Sequence, residues 1–418
     1  MAEGAGGYRP RLVDPLLDEL LLQLPALLMV GPRTAGKTTT MARRAATVVR
    51  LDRQVEATAF QADPDVALRG LPEPVLLDEW QRVPGVLGAV RRAVEADPRP
   101  NRFYVTGSIR AELRNELWPG TGRLVRLAMY PMSIREQLGR DRASFLDRLV
   151  AGEELAVPKG PPDLRGYVEL ALRSGFPHAA LRLTGRAREL WLQSYIEDLL
   201  THDVEQLEQS ATKPRDTPRL RQFLEAYALN SAGLADQKTI YEAAQINKVT
   251  ATAYEELLEG LLIAERVPAW RSNRLKRLIH RPKRYLIDAA LMASTLRVDE
   301  PGIMRDGGLL GSILDTFVTA QLRPELAVAS GQPRLHHLRT EQGRHEIDLV
   351  VELGGGQVVA IEIKAAAAPT AHEDAKHLRW LRDELGERFL AGLVLHTGPR
   401  AYQLDDRIIA APIAVLWG

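Results

Sequence analysis

The stretch ALLMVGPRTAGKT at residues 26–38 is an apolar run followed by a glycine-rich turn. The apolar run predicts a buried strand, and residues 39–49 are compatible with a helix. Strand, glycine-rich loop and helix in this order predict a phosphate-binding loop, because two glycines let backbone N–H groups point inward beside a partly positive helix N-terminus. The residues expected to bind nucleotide are Gly31, Pro32, Arg33, Thr34, Ala35, Gly36, Lys37, Thr38 and Thr39.

Within this loop, two side chains are suited to ATP and Mg²⁺. Lys37 is expected to bridge the β- and γ-phosphates, and the Thr38 hydroxyl to take one position on the metal. Lysine is rare in this chain, with nine lysines among 55 basic residues, and Lys37 is the only one in the first 150 residues. Its retention beside a threonine supports a role that needs a compact ammonium group.

Two further apolar runs predict strands that end at the same sheet edge. Residues 74–79 read PVLLDE, where Asp78 is expected to hold Mg²⁺ and Glu79 to act as general base. Residues 102–105 lead into Thr106 and Ser108. Either hydroxyl is expected to orient the water or sense the γ-phosphate, or alternatively to cap a helix that begins near residue 109.

Several short motifs carry a resemblance to a known family. They are Gly107-Ser108, Gly122-Arg123, Tyr130-Pro131-Met132-Ser133 and Gly175-Phe176-Pro177. Together with the phosphate loop and Asp78-Glu79, they resemble a prokaryotic AAA-type (AAA+) P-loop ATPase family whose C-terminal half is a domain of unknown function. The resemblance covers essentially the whole chain and implies an AAA+ parallel sheet.

The resemblance also bears on the arginine that stabilises transition-state charge. Arg110, Arg114 and Arg123 each read as surface residues when taken singly, but the family pattern favours Arg123. AAA-type sites are often completed by a neighbour's arginine, so a homo-oligomer is an alternative that the sequence leaves open. Residues 201–203 read Thr-His-Asp where the family ordinarily has an Arg-Asp pair, so no role is assigned there.

The middle of the chain predicts a winged helix. A first helix over 237–244, a turn at 245–247 and a second helix over 248–259 would be followed by hairpin arms at 262–270 and 284–288. Val249, Ala253, Leu257 and Leu261 are expected to share one face of the second helix. Eight basic and no acidic residues between positions 266 and 287 predict contact with nucleic acid, DNA being favoured over RNA. The alternative is a protein-packing module whose basic residues pair with acids elsewhere.

Residues 346–353 and 357–364, EIDLVVEL and QVVAIEIK, predict a β-hairpin around three glycines. The register pairs Leu353 with Gln357 and therefore sets Asp348 opposite Glu362. Two facing carboxylates repel each other, so this arrangement invites a metal ion or the nearby Lys364.

The hairpin resembles the metal-dependent nucleases of the PD-(D/E)xK class. That resemblance implies Mg²⁺ or Mn²⁺ on Asp348 and Glu362, with Lys364 positioning the hydrolytic water, and Asp315 as a looser match for a further acid. A helix over 374–385 and strands over 390–395 and 408–416 would complete the core. The alternatives are a fold kept for binding after activity was lost, and a polar strand face with an ordinary Glu-Lys pair.

Composition limits the remaining possibilities. The net charge of +1 excludes a protein that is basic overall, and the absence of cysteine excludes disulfides and thiolate metal sites. Residues 16–30 carry three polar side chains and predict neither a membrane span nor a signal peptide, so we expect a cytoplasmic protein without a membrane partner.

The expected fold class is α/β, with four regions. These are an AAA+ ATPase domain (1–150), a helical linker region (151–215), a winged helix (216–298) and a nuclease-like domain (299–418). Two functional hypotheses follow: ATP hydrolysis coupled to nucleic-acid processing by a metal-dependent nuclease, and an ATP-switched DNA-binding or regulatory protein whose nuclease-like domain is silent.

Overall fold

The computed structural model describes residues 7–108, 124–140, 144–203, 216–271, 281–340, 343–370 and 372–418. The chain divides into two compact units. The first comprises Met1–Pro131, Phe176–His178 and Glu256–Ile263. The second comprises Met132–Gly175, Ala179–Glu255 and Ala264–Gly418.

The first unit is built on five parallel strands in the order β2-β3-β4-β1-β5. They are β1 (Ala26–Val30), β2 (Thr47–Arg50), β3 (Val75–Asp78), β4 (Phe103–Gly107) and β5 (Val125–Ala128). Every residue of β1, β3 and β4 is buried, as expected for parallel strands covered on both faces. This sheet confirms the predicted α/β class and its three predicted strands.

In sequence order, the helices described before β5 either precede β1 or connect successive strands. Their bounds are Val13–Leu21, Lys37–Ala42, Gln54–Ala62, Pro64–Leu68 and Gly85–Ala96, with a 3₁₀ turn at Trp80–Arg82. The helix expected over 39–49 is therefore wrong in its second half. Residues 47–49 are Thr-Val-Val, whose β-branched side chains favour a strand, and they pair with β3 instead.

Along the chain, most of the described elements between residues 132 and 305 are helices. The bounds are Ile134–Gln137, Phe145–Val150, Leu164–Leu172, Pro177–Arg182, Gly185–Asp198, a π-helical turn at Leu199–Asp203, Thr217–Leu229, Gln237–Ala243, Lys248–Gly260, Ala289–Leu296 and Glu300–Arg305. Among the described residues, no helix has both the length and the apolar composition needed to cross a membrane.

Two helices and an antiparallel pair occupy the segment that was predicted as a winged helix. The pair consists of β6 (Ala264–Val267) and β7 (Lys283–Leu286). The face predicted for the second helix is wrong at Val249, which is 81% exposed, whereas Tyr254 is buried with its ring centroid 5.8 Å from that of Phe223. That the segment is a winged helix stays a prediction.

The C-terminal part of the second unit holds a six-stranded sheet in the order β12-β13-β11-β10-β9-β8. The strands are β8 (Arg334–Arg339), β9 (Glu346–Glu352), β10 (Val358–Ile363), β11 (Phe389–His396), β12 (Tyr402–Asp405) and β13 (Ile408–Pro412). Helices Gly307–Val328 and Lys376–Leu385 accompany them. The strand expected over 408–416 is too long, because a 3₁₀ turn takes over at Ile413–Trp417.

The β9–β10 register agrees with the one predicted from the glycine turn. Val358 lies opposite Glu352, and Ile361 lies opposite Leu349. Gly355 and Gly356 both have positive φ, near 74°, which glycine adopts without steric cost. The same register sets Asp348 across from Glu362.

Candidate functional site

The phosphate loop follows β1 directly and curls back on itself. Thr34 and Gly36 have φ of 62° and 104°, in the left-handed region that such a curl requires. The buried Lys37 ammonium donates to the carbonyl oxygens of Gly31 (3.0 Å) and Pro32 (2.9 Å). Lys37 therefore lies inside the loop in which it is expected to bridge the β- and γ-phosphates.

Three oxygen-bearing side chains meet at the carboxyl edge of the sheet. The Thr38 hydroxyl donates to Asp78 Oδ1 at 2.7 Å, and the buried Thr106 hydroxyl donates to the same oxygen. Because β4 lies between β1 and β3, Thr106 is brought next to Asp78 from the neighbouring strand. The structure thus joins three residues that the sequence placed at separate strand ends.

Glu79 follows the last residue of β3 and has a left-handed backbone, with φ of 58°. Its Oε2 accepts from the Ser108 hydroxyl at 3.2 Å and from the Gln81 amide. The Gln81 amide nitrogen also lies 3.3 Å from the Ser108 oxygen. Gln81 was missed at the level of sequence, since a glutamine two residues beyond a strand end carries no distinctive pattern.

The remaining predicted nucleotide-binding positions differ in exposure. Arg33, Thr34 and Thr39 are exposed, and Ala35 is buried. Arg123, Arg110 and Arg114 lie outside the described residues.

A second residue missed by sequence reasoning supports the loop from the N-terminal side. The buried Arg11 guanidinium donates to the carbonyl oxygens of Ala35 (2.7 Å) and Tyr130 (2.8 Å). A planar guanidinium that bonds to two carbonyls fixes the loop relative to Tyr130, the second residue after β5. Arginine is so common in this chain that no sequence signal distinguished Arg11.

The donor set at this edge fits Mg²⁺. Mg²⁺ prefers oxygen ligands and binds through one or two carboxylates, waters and substrate phosphates. The Thr38 hydroxyl and the Asp78 carboxylate already share one hydrogen bond. These two side chains would hold the ion next to a nucleotide in the loop.

In the second unit, a cluster of charged residues joins the helix Gly307–Val328 to β9 and β10. The predicted residues Asp315, Asp348, Glu362 and Lys364 all take part. Lys364 Nζ lies 3.3 Å from Glu362 Oε2, and the Ile363 amide donates to Asp348 Oδ2 at 2.9 Å. The structure therefore brings together side chains that are up to 49 positions apart in sequence.

Two residues of β7 also enter this carboxylate cluster, and sequence reasoning missed both. The Lys283 ammonium lies 2.5 Å from Asp315 Oδ2 and 3.3 Å from Asp348 Oδ1. The Tyr285 hydroxyl donates to Asp315 Oδ1 at 2.9 Å. The rarity of lysine, which drew attention to Lys37, applied equally to Lys283.

Burial governs the protonation of the carboxylate cluster. It raises the pKa of Asp315 to about 6, although Lys283 acts in the opposite direction. Burial and the facing Asp348 raise the pKa of Glu362 well above its usual range. Burial alone lowers the pKa of Lys283, but the nearby carboxylates outweigh it, so its pKa lies well above normal and the ammonium stays charged.

The arrangement does not fit the divalent metal that the nuclease resemblance implies. Among the described residues, no group of three or more His, Asp or Glu side chains is disposed to hold a metal ion. Lys283 contacts two of the three predicted ligands, and Lys364 contacts the third.

Some of the basic residues between positions 266 and 287 form ion pairs within the second unit. Besides Lys283, Arg281 contacts Asp236 (3.0 Å) and Arg284 contacts Glu255 (2.6 Å). These contacts correspond to the alternative in which basic residues pair with acids. Another four of the eight, at positions 271, 274, 276 and 277, lie at or beyond the edge of the described segment ending at 271.

Three family models match successive parts of the chain. Residues 23–138 match an AAA domain, residues 164–302 match a domain of unknown function, DUF8612, and residues 310–416 match a second one, DUF4143. The AAA match covers the phosphate loop, Asp78, Glu79 and the parallel sheet.

The curated relatives include two mycobacterial proteins. The uncharacterized proteins Mb2031c of Mycobacterium bovis and Rv2008c of Mycobacterium tuberculosis are each 28% identical over 404 residues, which cover 95% of this chain and 82% of theirs. Among solved structures, the Walker-type ATPase PABY2304 of Pyrococcus abyssi is 18% identical. That match covers 68% of this chain and 94% of the other at a TM-score of 0.38, a likeness too slight to show a shared fold.

Proposed function

We propose that this protein, which carries an AAA-type P-loop domain, hydrolyses ATP in a Mg²⁺-dependent reaction and uses the nucleotide state to control contact with nucleic acid. One observation carries the first part. Thr38, Asp78 and Thr106 share hydrogen bonds at the sheet edge where the phosphate loop ends. Open parallel sheets place their ligands at this edge.

Each side chain of the site has a separate role in hydrolysis. Lys37 exchanges its two loop carbonyls for β- and γ-phosphate oxygens, and Thr38 and Asp78 hold Mg²⁺. When bound, the ion neutralises charge on the phosphate oxygens. A water molecule forms a bond to the γ-phosphorus, its proton passes to the Glu79 carboxylate, and the bond to the β-phosphate oxygen breaks to release ADP. Ser108 and Gln81 position Glu79 for this proton transfer.

Steady-state hydrolysis tests this assignment. We expect Lys37→Ala to abolish nucleotide binding and activity, and Glu79→Gln to bind ATP but lose about 10²- to 10⁴-fold in kcat, as for removal of a general base. Thr58→Ala is the matched control, because Thr58 is an exposed threonine whose hydroxyl bonds only to its own helix, at the carbonyl of Gln54. Wild-type hydrolysis by Glu79→Gln would contradict the assignment.

The nucleic-acid part of the proposal rests on the first turn of the helix Lys248–Gly260. Lys248 and Val249 are both exposed there. An ammonium suits a phosphate, and an exposed valine offers the apolar contact that a thymine methyl accepts in the major groove, which favours DNA over RNA.

Binding of labelled duplex DNA and RNA at several salt concentrations tests this part. Loss of one phosphate contact in Lys248→Ala should weaken affinity and reduce the salt slope by about one. Lys159→Ala, which removes an exposed lysine elsewhere, should leave both unchanged. Equal affinity and slope in Lys248→Ala and wild type would contradict this interface.

The role of the C-terminal domain separates two candidate functions. In the first, Asp348, Glu362 and Lys364 support Mg²⁺- or Mn²⁺-dependent cleavage of nucleic acid. In the second, the domain is catalytically silent and the protein is an ATP-switched binding or regulatory protein. The Lys283 contacts favour the second, because an ammonium already occupies the space between two of the acids.

A cleavage assay on single-stranded, duplex and branched substrates distinguishes these functions. The nuclease candidate requires metal-dependent product that is lost in Lys364→Ala. The switch candidate requires no product from either protein, with equal nucleic-acid affinity in wild type and Asp348→Ala.

A further inference from the structure

The cation at the centre of the carboxylate cluster belongs to the protein itself. Lys283 is the first residue of β7, and it reaches Asp315 on the helix Gly307–Val328 and Asp348 on β9. Its side chain is only 5% exposed. Three secondary-structure elements therefore meet on one ammonium group.

Lys283 is held there by charge and by hydrogen bonding. Burying an ammonium is unfavourable unless acceptors compensate for the lost water. Asp315 Oδ2 and Asp348 Oδ1 supply that compensation on two sides. Tyr285 and Thr319 donate to the other oxygen of Asp315, at 2.9 and 3.4 Å, which fixes the orientation of this carboxylate.

One carboxylate oxygen in the cluster is left without a partner. Glu362 is 3% exposed, and its Oε1 accepts no hydrogen bond among the described residues, while Oε2 faces Lys364. A buried carboxylate oxygen without a donor is costly. Lys283 satisfies Asp315 and Asp348 but leaves this oxygen of Glu362 unsatisfied, whereas a divalent cation takes several oxygen ligands at once.

We propose that Lys283 is a built-in counterion that excludes divalent cations from the Asp315–Asp348–Glu362 cluster. The cluster is then a latent site for a hard divalent cation such as Mn²⁺ or Mg²⁺, and it opens only when the Lys283 ammonium is removed or displaced. This inference concerns the second unit alone, so it stands or falls independently of ATP hydrolysis.

The position of β7 therefore controls the charge of the cluster. Lys283 pairs with Val267 in the β6–β7 ladder, so its backbone belongs to this strand pair, whereas the acids lie on the helix Gly307–Val328, β9 and β10. With Lys283 present, the three carboxyl groups face two ammonium groups. Without it, they face Lys364 alone, and a divalent ion would supply the positive charge that was lost.

The test is a Mn²⁺ titration followed by electron paramagnetic resonance, without nucleotide. The proteins are wild type, Lys283→Met, Lys283→Met/Asp348→Asn and the surface control Lys159→Met. Methionine keeps the length of the side chain and removes its charge. We expect Lys283→Met to bind one more Mn²⁺ than wild type. The affinity for this ion should be at least about tenfold higher than that of any wild-type site in this unit, a difference of about 1.4 kcal/mol or more in binding free energy.

The extra ion should be absent from the double variant and from Lys159→Met. A folded Lys283→Met that binds no additional Mn²⁺ overturns the proposal. Mn²⁺ binding by the wild-type protein that is lost in Asp348→Asn also overturns the proposal.

Loss of Lys283 leaves buried carboxylates uncompensated, so the stability of the variant provides a second readout. Mn²⁺ should raise the Tm of Lys283→Met and leave that of wild type unchanged, because a ligand stabilises only the state that binds it. Equal Tm shifts in the two proteins overturn the proposal. If Lys283→Met does not fold even with Mn²⁺, wild type is compared with Asp348→Asn. Equal Mn²⁺ binding by these two proteins supports exclusion, and weaker binding by Asp348→Asn overturns it.

Discussion

Thr38 on the phosphate loop donates a hydrogen bond of 2.7 Å to Asp78, forty residues further along the chain. The bond runs from the start of the helix Lys37–Ala42, which follows β1 and the loop, to the end of β3, and β4 lies between β1 and β3 in the sheet. It connects the residue expected to hold Mg²⁺ from the loop with the one expected to hold it from the sheet. The nucleotide site thus depends on the exact spacing of three neighbouring strands.

Thr106→Val should impair hydrolysis more than folding. The hydroxyl of this buried residue donates to Asp78, and valine keeps nearly the same shape without the donor. We expect a loss of about 0.5–1.5 kcal/mol in unfolding free energy, typical of one hydrogen bond. The activation free energy of hydrolysis should rise by more than this, because Asp78 is less well oriented, and kcat should fall accordingly. Denaturant unfolding and steady-state kinetics measure the two effects. Activity equal to that of wild type would show that Thr106 has no part in orienting Asp78.

Gly31→Ala should destabilise the first unit. A Cβ at position 31 would lie 2.1 Å from the carbonyl oxygen of Met129, a backbone atom that cannot move aside without shifting the chain after β5. Overpacking of this kind costs about 1–3 kcal/mol, and nucleotide affinity should fall with it. Unfolding curves and ATP titration measure both.

Gly311→Ala is the control for this substitution. A Cβ there meets nothing within 4 Å, and the residue lies exposed in the helix Gly307–Val328. Alanine in a helix is favoured over glycine by about 0.5–1 kcal/mol. We therefore expect opposite signs for the two glycine replacements, and a loss of stability in both would contradict the packing argument.

Arg11→Lys should weaken ATP binding while conserving charge. The guanidinium reaches the carbonyls of Ala35 and Tyr130 at once, a span that a single ammonium does not reproduce. We expect a several-fold rise in KM for ATP, with kcat changed less because these two hydrogen bonds hold the backbone of the loop. The reverse pattern, an unchanged KM with a reduced kcat, would argue against a role in holding the loop.

His337 should make the second unit sensitive to acid. Burial lowers its pKa to about 4, and its neutral ring donates from Nε2 to the carbonyl of Arg281 at 2.8 Å. Because the folded pKa lies below the unfolded value of about 6.5, stability present at pH 7 is lost as the pH falls toward 4. At pH 5 the loss from this residue is about 2 kcal/mol.

Unfolding free energies at pH 7 and pH 5 measure this effect. In His337→Gln the amide keeps a donor but does not titrate, so the drop between the two pH values should be about 2 kcal/mol smaller than in wild type. Identical pH dependence would mean that His337 is protonated equally in the folded and unfolded states.

Prediction from sequence succeeded where a local pattern was sufficient. The run from Ala26 to Thr38 specifies strand and loop within thirteen residues, and the glycine turn between β9 and β10 sets a register that alternation then extends to Asp348 and Glu362. It failed at Val249, because helical periodicity shows which residues share a face but not which face finds an aromatic partner such as Phe223.

By itself, the sequence determined the phosphate loop, the acidic end of β3 and the facing acids of the β9–β10 hairpin, because in each the chemistry lies within one element or one short connection. Only the tertiary structure decided what surrounds them. Thr106 reaches Asp78 through strand order, and Arg11 supports the loop from a distant segment. Lys283 enters the carboxylate cluster from another hairpin. Long-range contacts of this kind depend on the packing of whole elements, and no spacing along the chain encodes them.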